Sequence, residues 1–157
     1  MGGGYPSGYS WNFWGSDPGL AAHAINTWEG RITFTGEDVG RDVKTGSSIM
    51  FKGPEDDPVR QAYIYYNFYK SHSSWDPLAV LYAIDGHGNM FTNGTDSGYN
   101  YIEPNGTNRW ISDETRQDQT FLRLKMRNEE VTAELDRRLL EAVTSKGKKE
   151  TRVSEEL

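Results

Sequence analysis

Apolar positions recur at helical spacing in four stretches of the chain, and alternate with polar ones in several shorter runs. The clearest helix follows Asp76. Leu78, Leu81 and Tyr82 fall at i, i+3 and i+4, and Ala79, Val80 and Ala83 fill in around them. Pro77 suits a first helical position because it has no amide hydrogen to lose there. Asp76 then reads as the N-cap, with Trp75 just outside it. Asp17-Pro18 opens a second helix in the same way; it passes through Ala21, Ala22, Ala24 and Ile25 and stops at Gly30. A third starts at Pro58, carries Val59, Ala62, Tyr63, Tyr66, Phe68 and Tyr69, and ends near Ser71-His72. A fourth follows Asn128, with Val131, Leu135, Leu139 and Val143 on one stripe. A single helical turn is expected over 46–52.

Period-two alternation marks short strands at 31–35, 90–92, 98–102, 109–111 and 119–126. Asn93-Gly94-Thr95 and Asn105-Gly106-Thr107 are both glycosylation sequons and Asn-Gly turns, and the turn reading is preferred. Residues 1–16 show neither period. They hold Trp11, Phe13 and Trp14, whose exposure costs ~25 cal/mol per Å² of apolar area, so an ordered loop on the rim of a site is expected. Residues 144–157 read as a charged, disordered tail beyond one domain over 1–143.

Composition narrows the function classes. A net charge of -6 does not favour nonspecific binding to nucleic acid or an anionic membrane. The absence of cysteine excludes disulfides and thiolate metal sites. No apolar run has the length of a membrane span and the N-terminal residues lack signal-peptide character, so the cytoplasm is the default compartment.

Several side chains are candidates for chemistry. Asp76 is most simply a helix cap; with partners, its outward oxygen can bind a cation. Asn12 is the one polar side chain among the aromatics of the N-terminal run, suited to a turn or to a polyhydroxylated ligand. Glu37 and Asp38 come just after the 31–35 strand, at the edge where open α/β sheets hold ligands, and rank second. His72 has the pKa range of an acid–base group, against the commoner role of a cap on a helix C-terminus. His23 lacks a second histidine at ligand spacing, and Glu55-Asp56-Asp57 reads as a solvated run before Pro58.

Taken together, Met1-Gly-Gly, Asn12-Phe-Trp-Gly-Ser-Asp17-Pro-x-x-Ala21-Ala22, Gly36-Glu-Asp38-Val39, Asp57-Pro-Val-Arg-x-Ala-Tyr and Ser74-Trp-Asp76-Pro-Leu-Ala-Val resemble, in order and spacing, the C-terminal half of the inosine/uridine-preferring nucleoside hydrolases. The resemblance covers residues 1 to about 143. It implies an α/β fold with helices on a small mixed sheet and an antiparallel extension. It implies hydrolysis of the N-glycosidic bond of purine and pyrimidine ribonucleosides, with Ca²⁺ orienting the attacking water. By this resemblance Asp76 is a calcium ligand and Asn12 binds ribose hydroxyls; Trp75, in place of the family's His, and Trp11, on the aromatic rim, are expected to contact substrate as well.

The chain also departs from the family pattern. Ser10 stands where the fullest pattern has a Glu that holds the 5′ end of the ribose, and Trp75 where many members have a His near the leaving base; a Trp there stacks on the base or faces the site. The family's Asp-x-Asp-x-Gly-x-Asp-Asp motif, which supplies the general base and most calcium ligands, is nowhere in the 157 residues. Met1 coincides with an internal Met of the family, so a truncated gene product, a mis-assigned start or a fragment is expected. The expectation is a nucleoside-hydrolase-type chain without hydrolytic activity of its own. The alternative is a noncatalytic nucleoside- or partner-binding protein that self-associates through an exposed apolar edge. A glycan-binding β-rich module is disfavoured by the helices.

Overall fold

A computed structural model describes the backbone of residues 1–154 and the side chains of residues 1–145. In chain order, the first elements are β1 (Ser7–Tyr9), α1 (Trp11–Trp14), α2 (Pro18–Asn26), β2 (Ile32–Phe34) and α3 (Glu37–Gly40). Then come β3 (Lys44–Thr45), α4 (Ser47–Lys52), α5 (Pro58–Asn67), β4 (His72–Ser73) and α6 (Trp75–Asp85). The last are β5 (Phe91–Asn93), β6 (Tyr99–Ile102), β7 (Thr107–Ile111), β8 (Gln119–Leu124) and α7 (Asn128–Ser154). The fold is mixed α/β, with small sheets and seven helices among the described residues. The chain divides into two compact units, each made of two separate segments: Met1–Asp42 with Trp75–Met126, and Val43–Ser74 with Arg127 onward.

The first unit holds two three-stranded sheets. In one, β1, β7 and β6 pair antiparallel, with Tyr9 opposite Thr107 and Tyr101 opposite Arg109. The other is mixed: β2 runs parallel to the central β8 and β5 antiparallel to it, with Phe34 opposite Phe121 and Phe91 opposite Leu124. Phe13, Ala22, Phe34, Ile102 and Phe121 form a buried core against which Tyr5, Ile25, Ile32 and Trp110 pack. The Tyr5 ring stacks on Phe121 at 4.7 Å, and burial pushes its phenol well above the usual tyrosine range. Asn108 ties the N-terminal segment to this core. It accepts from the Gly4 amide at 3.0 Å and donates to the Gly4 carbonyl at 2.9 Å and to Asn100 Oδ1 at 3.0 Å.

In the second unit β3 and β4 pair antiparallel, and α4, α5 and α7 supply the rest. Val131, Leu135 and Val143 are buried along one stripe of α7. Between them Asp136, also buried, accepts from the amides of Gly46 at 2.6 Å and Ser48 at 3.2 Å. Those are orphan donors at the start of α4, which has no capping side chain of its own.

Helix starts obey local chemistry closely. Asp17 accepts from the Leu20 amide at 3.0 Å, and Asp57 from Val59 and Arg60 at 2.9 and 3.0 Å, each preceding a proline in the first turn. Helix ends differ more from expectation. The helix expected to reach 70 stops at Asn67, because Phe68 and Tyr69 take left-handed φ values of 49° and 62°. Asn67 Nδ2 holds that turn by donating to the carbonyls of Lys70 and Ser71, both at 2.8 Å. The helix after Asn128 was expected to end near Val143, but its backbone continues to Ser154. Glu134, Arg137, Arg138 and Glu141 brace the exposed face of α7 at i, i+3 and i, i+4 spacings. Within the charged tail expected over 144–157, the side chains from Lys146 on lie outside the described residues, as do residues 155–157 entirely.

The N-terminal run is ordered without a visible sequence period. It contains β1 and α1, and Phe13 is buried. Its order comes from distant partners, the β7 strand and the core, rather than from local repetition.

Candidate functional site

Three segments of the first unit converge on Glu37, the first residue of α3. Its amide donates to the Gly3 carbonyl at 2.8 Å, which anchors the N-terminal glycines. Its carboxylate Oε1 accepts from the Trp11 amide at 3.3 Å, which places α1 beside it. Its carbonyl accepts from Trp75 Nε1 at 2.9 Å, which fixes the indole at the start of α6. The close approach of α3 to α6 needs Gly40. A Cβ there would lie 2.5 Å from Trp75 Cα and 2.6 Å from its nitrogen, where no side chain fits.

The result is a cavity of about 270 Å³ lined by Met1, Ser10, Trp11, Asn12, Glu37 and Trp75. This is near the small end of ligand pockets, which span ~300–1,000 Å³. Two indoles give it apolar wall; Asn12 and Glu37 give it hydrogen-bonding groups. Asn12 Nδ2 donates to the Met1 carbonyl at 3.1 Å, which orients the amide. Trp11 packs edge-on against Trp14 at 4.5 Å, and Trp14 stacks on Tyr9 at 5.1 Å, so the exposed Trp11 ring is held from behind. The Ser10 hydroxyl is buried without a hydrogen-bond partner in the protein.

Trp11, Asn12 and Trp75, the three side chains expected to contact substrate, therefore line one cavity although 63 positions separate Asn12 from Trp75. Asp76 is the next residue, but it is not part of the lining. Its expected cap role is corrected by the structure: α6 begins at Trp75, so Asp76 lies inside the first turn with its side chain exposed. A carboxylate there is still favourable to the helix dipole.

Calcium takes six to eight oxygen ligands. No group of three or more His, Asp or Glu side chains able to hold a metal ion occurs among the described residues. With Asp76 as one exposed carboxylate, the described residues do not compose a calcium cage by themselves. Asp38 is exposed and pairs with Arg41 at 3.6 Å. Asp57 caps α5, and His72 lies in β4 of the second unit, its ring 5.0 Å from that of Tyr66.

Met1 and Ser10 were not foreseen as lining residues, and Glu37 ranked only second. The usable signal for Glu37 was its position just beyond a parallel strand. Ser10 was marked only as the residue standing where the family pattern has Glu; its burial shows only in the structure. No protein-family model, curated protein or solved structure matches the chain.

Proposed function

We propose that this cavity is the ribose- and base-contacting part of a nucleoside-hydrolase-type site, and that the chain binds ribonucleosides without hydrolysing them. One observation supports the reading: the side chains expected to contact substrate, Trp11, Asn12 and Trp75, line a single cavity. The indoles offer faces on which a nucleobase stacks, and the Asn12 amide offers a donor and an acceptor to sugar hydroxyls. Cleavage of the glycosidic bond needs a base to take a proton from the attacking water. The motif that would supply it is not in the sequence, and the cavity's one carboxylate, Glu37, already has partners in Trp11 and Arg41. Asp76 as a ligand of calcium belongs to the same reading, with the other oxygens coming from outside the described residues.

Titration of the 157-residue chain with inosine or uridine, monitored by tryptophan fluorescence, tests this. Binding should be saturable, Asn12→Ala should weaken it about tenfold through lost hydrogen bonds, and no free ribose should appear. Failure of both nucleosides to bind at millimolar concentration would sink the reading; ribose release would sink its noncatalytic part.

A second reading, self-association, rests on a different surface. Phe51, Tyr65, Tyr66 and Phe68 of the second unit are 68–82% exposed, and exposed apolar patches mark protein–protein contacts. Sedimentation of a concentration-independent monomer would count against it.

A further inference from the structure

The amphipathic pattern of α5 is inverted. Its exposed residues include Val59, Ala62, Tyr65 and Tyr66. Its polar Arg60 and Gln61 are half-buried, Arg60 Nε donating to the Met50 carbonyl and Gln61 Nε2 to that of Glu55. A surface helix ordinarily turns its apolar stripe to the core and its polar side chains to water. The turn that follows extends the exposed surface. Phe68 and Tyr69 hold left-handed φ values of 49° and 62°, where glycine or asparagine is the usual occupant. Phe68 is nevertheless 82% exposed, so its ring contributes little packing that would offset the strain. The Tyr69 ring lies 6.4 Å from that of Phe51 and carries the surface onto the end of α4. With ~150–250 Å² per aromatic side chain, Phe51, Tyr65, Tyr66, Phe68 and Tyr69, at 58–82% exposure, present roughly 700 Å². The largest apolar patch of a monomer is ordinarily ~300–600 Å², and each partner in a standard interface contributes ~800 Å². The area suits a macromolecular partner.

Charge selects among partners. Glu55, Asp56 and Asp57 precede α5, Lys70 follows it, and no Asp or Glu occurs from Pro58 to Trp75. Asp57 caps the helix, while Glu55, Asp56 and Lys70 are exposed. The aromatic face is thus bounded by acid at one end and base at the other, across a helix about 15 Å long. An anionic bilayer meets repulsion at the acidic end. A second copy laid antiparallel meets none: its Lys70 falls on Glu55 and Asp56, and its Glu55 and Asp56 fall on Lys70. A twofold axis makes both contacts at once. Alignment with the helix dipole accounts for these charges but not for the aromatic face between them. We propose that the outer face of α5, with Phe51 and the Phe68–Tyr69 turn, pairs antiparallel with the same face of a second copy of this chain. This pairing rests on the self-association reading and gives it an orientation and a set of contacts.

Sedimentation equilibrium of the full chain over a wide concentration range, with thermal melts at a concentration where the chain is monomeric, tests the pairing. The wild type should show a monomer–dimer equilibrium. Phe68→Gly should raise the dimer dissociation constant at least about tenfold, the scale of a ring lost from the centre of an interface. The same change should leave the Tm of the monomer unchanged or higher, because glycine adopts the left-handed turn without strain. Lys70→Glu should raise the dissociation constant about tenfold, because the twofold axis repeats the reversed charge pair. Glu55→Lys together with Asp56→Lys should do the same. All three charge substitutions in one chain exchange the two ends and should restore wild-type association. A wild type that stays monomeric at every concentration would overturn the self-association reading, and the pairing with it. A dimer unaffected by Phe68→Gly and by both charge variants would leave self-association standing and overturn this face as its site. Failure of the combined exchange to restore association would overturn the antiparallel orientation, and with it the proposal. Binding of the monomer to phosphatidylserine vesicles, lost in Phe68→Gly, would show a bilayer as the occupant and overturn the choice of a second copy.

Discussion

Replacing Gly40 with alanine drives a methyl group into the backbone of Trp75. The added carbon would sit 2.5 Å from Trp75 Cα, 2.6 Å from its nitrogen and 2.8 Å from Cδ1 of its ring. Carbon atoms prefer separations of about 3.5–4.0 Å, so α3 and α6 must part by roughly 1 Å. The obstacle is backbone, which cannot swing away as a side chain does. Overpacking of this kind costs ~1–3 kcal/mol. At about 2 kcal/mol, a chain of this size loses about 4–8 °C in Tm. The same shift pulls Trp75 Nε1 from the Glu37 carbonyl, now 2.9 Å away, and spoils the cavity wall. Under the proposed function, nucleoside affinity falls together with Tm. Gly19→Ala is the matched contrast. Gly19 is exposed in the first turn of α2, and the nearest atom to its added carbon is Asp17 Oδ1 at 3.4 Å. There alanine only restricts the unfolded chain and should raise stability by ~0.4–1 kcal/mol. Thermal melts of the two variants, monitored by circular dichroism and tryptophan fluorescence, check the pair. An unchanged Tm for Gly40→Ala would refute the packing argument, as would a loss in Gly19→Ala as large as in Gly40→Ala.

Two further outcomes concern the second unit. Asp136→Ala should destabilise by ~2–4 kcal/mol, since it orphans the Gly46 and Ser48 amides; hydrogen exchange at those two amides should accelerate, and slow exchange there would contradict the capping role. Hydrogen bonds from Arg137 and Arg138 hold the Glu134 carboxyl down to about 2, from an ordinary 4.5. Because the folded value is the lower one, this contribution is complete above pH 4.5 and is lost as pH falls through about 2. The bonds are partly solvent-screened, so the effect is small, ~0.2–1 kcal/mol. Glu134→Gln should flatten the acid limb of the stability profile over that window, and an unaltered slope would remove Glu134 from the account.

Much of the secondary structure was legible because its determinants are local. Asp17-Pro18 and Asp57-Pro58 announce helix starts through their own capping bonds. The Asn105-Gly106 turn announces a hairpin: Asn105 Oδ1 accepts from the Thr107 amide at 3.0 Å, and Gly106 takes a φ of 85° that glycine alone adopts easily. Alternation placed β6, β7 and β8 within a residue or two. Element ends were less legible. α6 begins one residue before the expected cap Asp76, α5 stops three residues early at a turn held by Asn67, α7 runs on past Val143, and the order of residues 1–16 takes the form of a short strand and a helical turn that no sequence period marks.

The candidate site divides along the same line. Sequence alone determined which residue types were available: the indoles of Trp11 and Trp75 and the amide of Asn12. It also determined the small glycines that let segments approach, Gly40 among them. Only the tertiary structure decided that Trp11, Asn12 and Trp75 share a cavity, and that Glu37 joins their segments through its amide, carbonyl and carboxylate. Only burial turned Ser10 from an ordinary serine into an unpartnered hydroxyl. The physical reason is that capping, turn and periodic patterns act within a few residues of chain, whereas desolvation and hydrogen-bond satisfaction depend on everything that packs nearby in space.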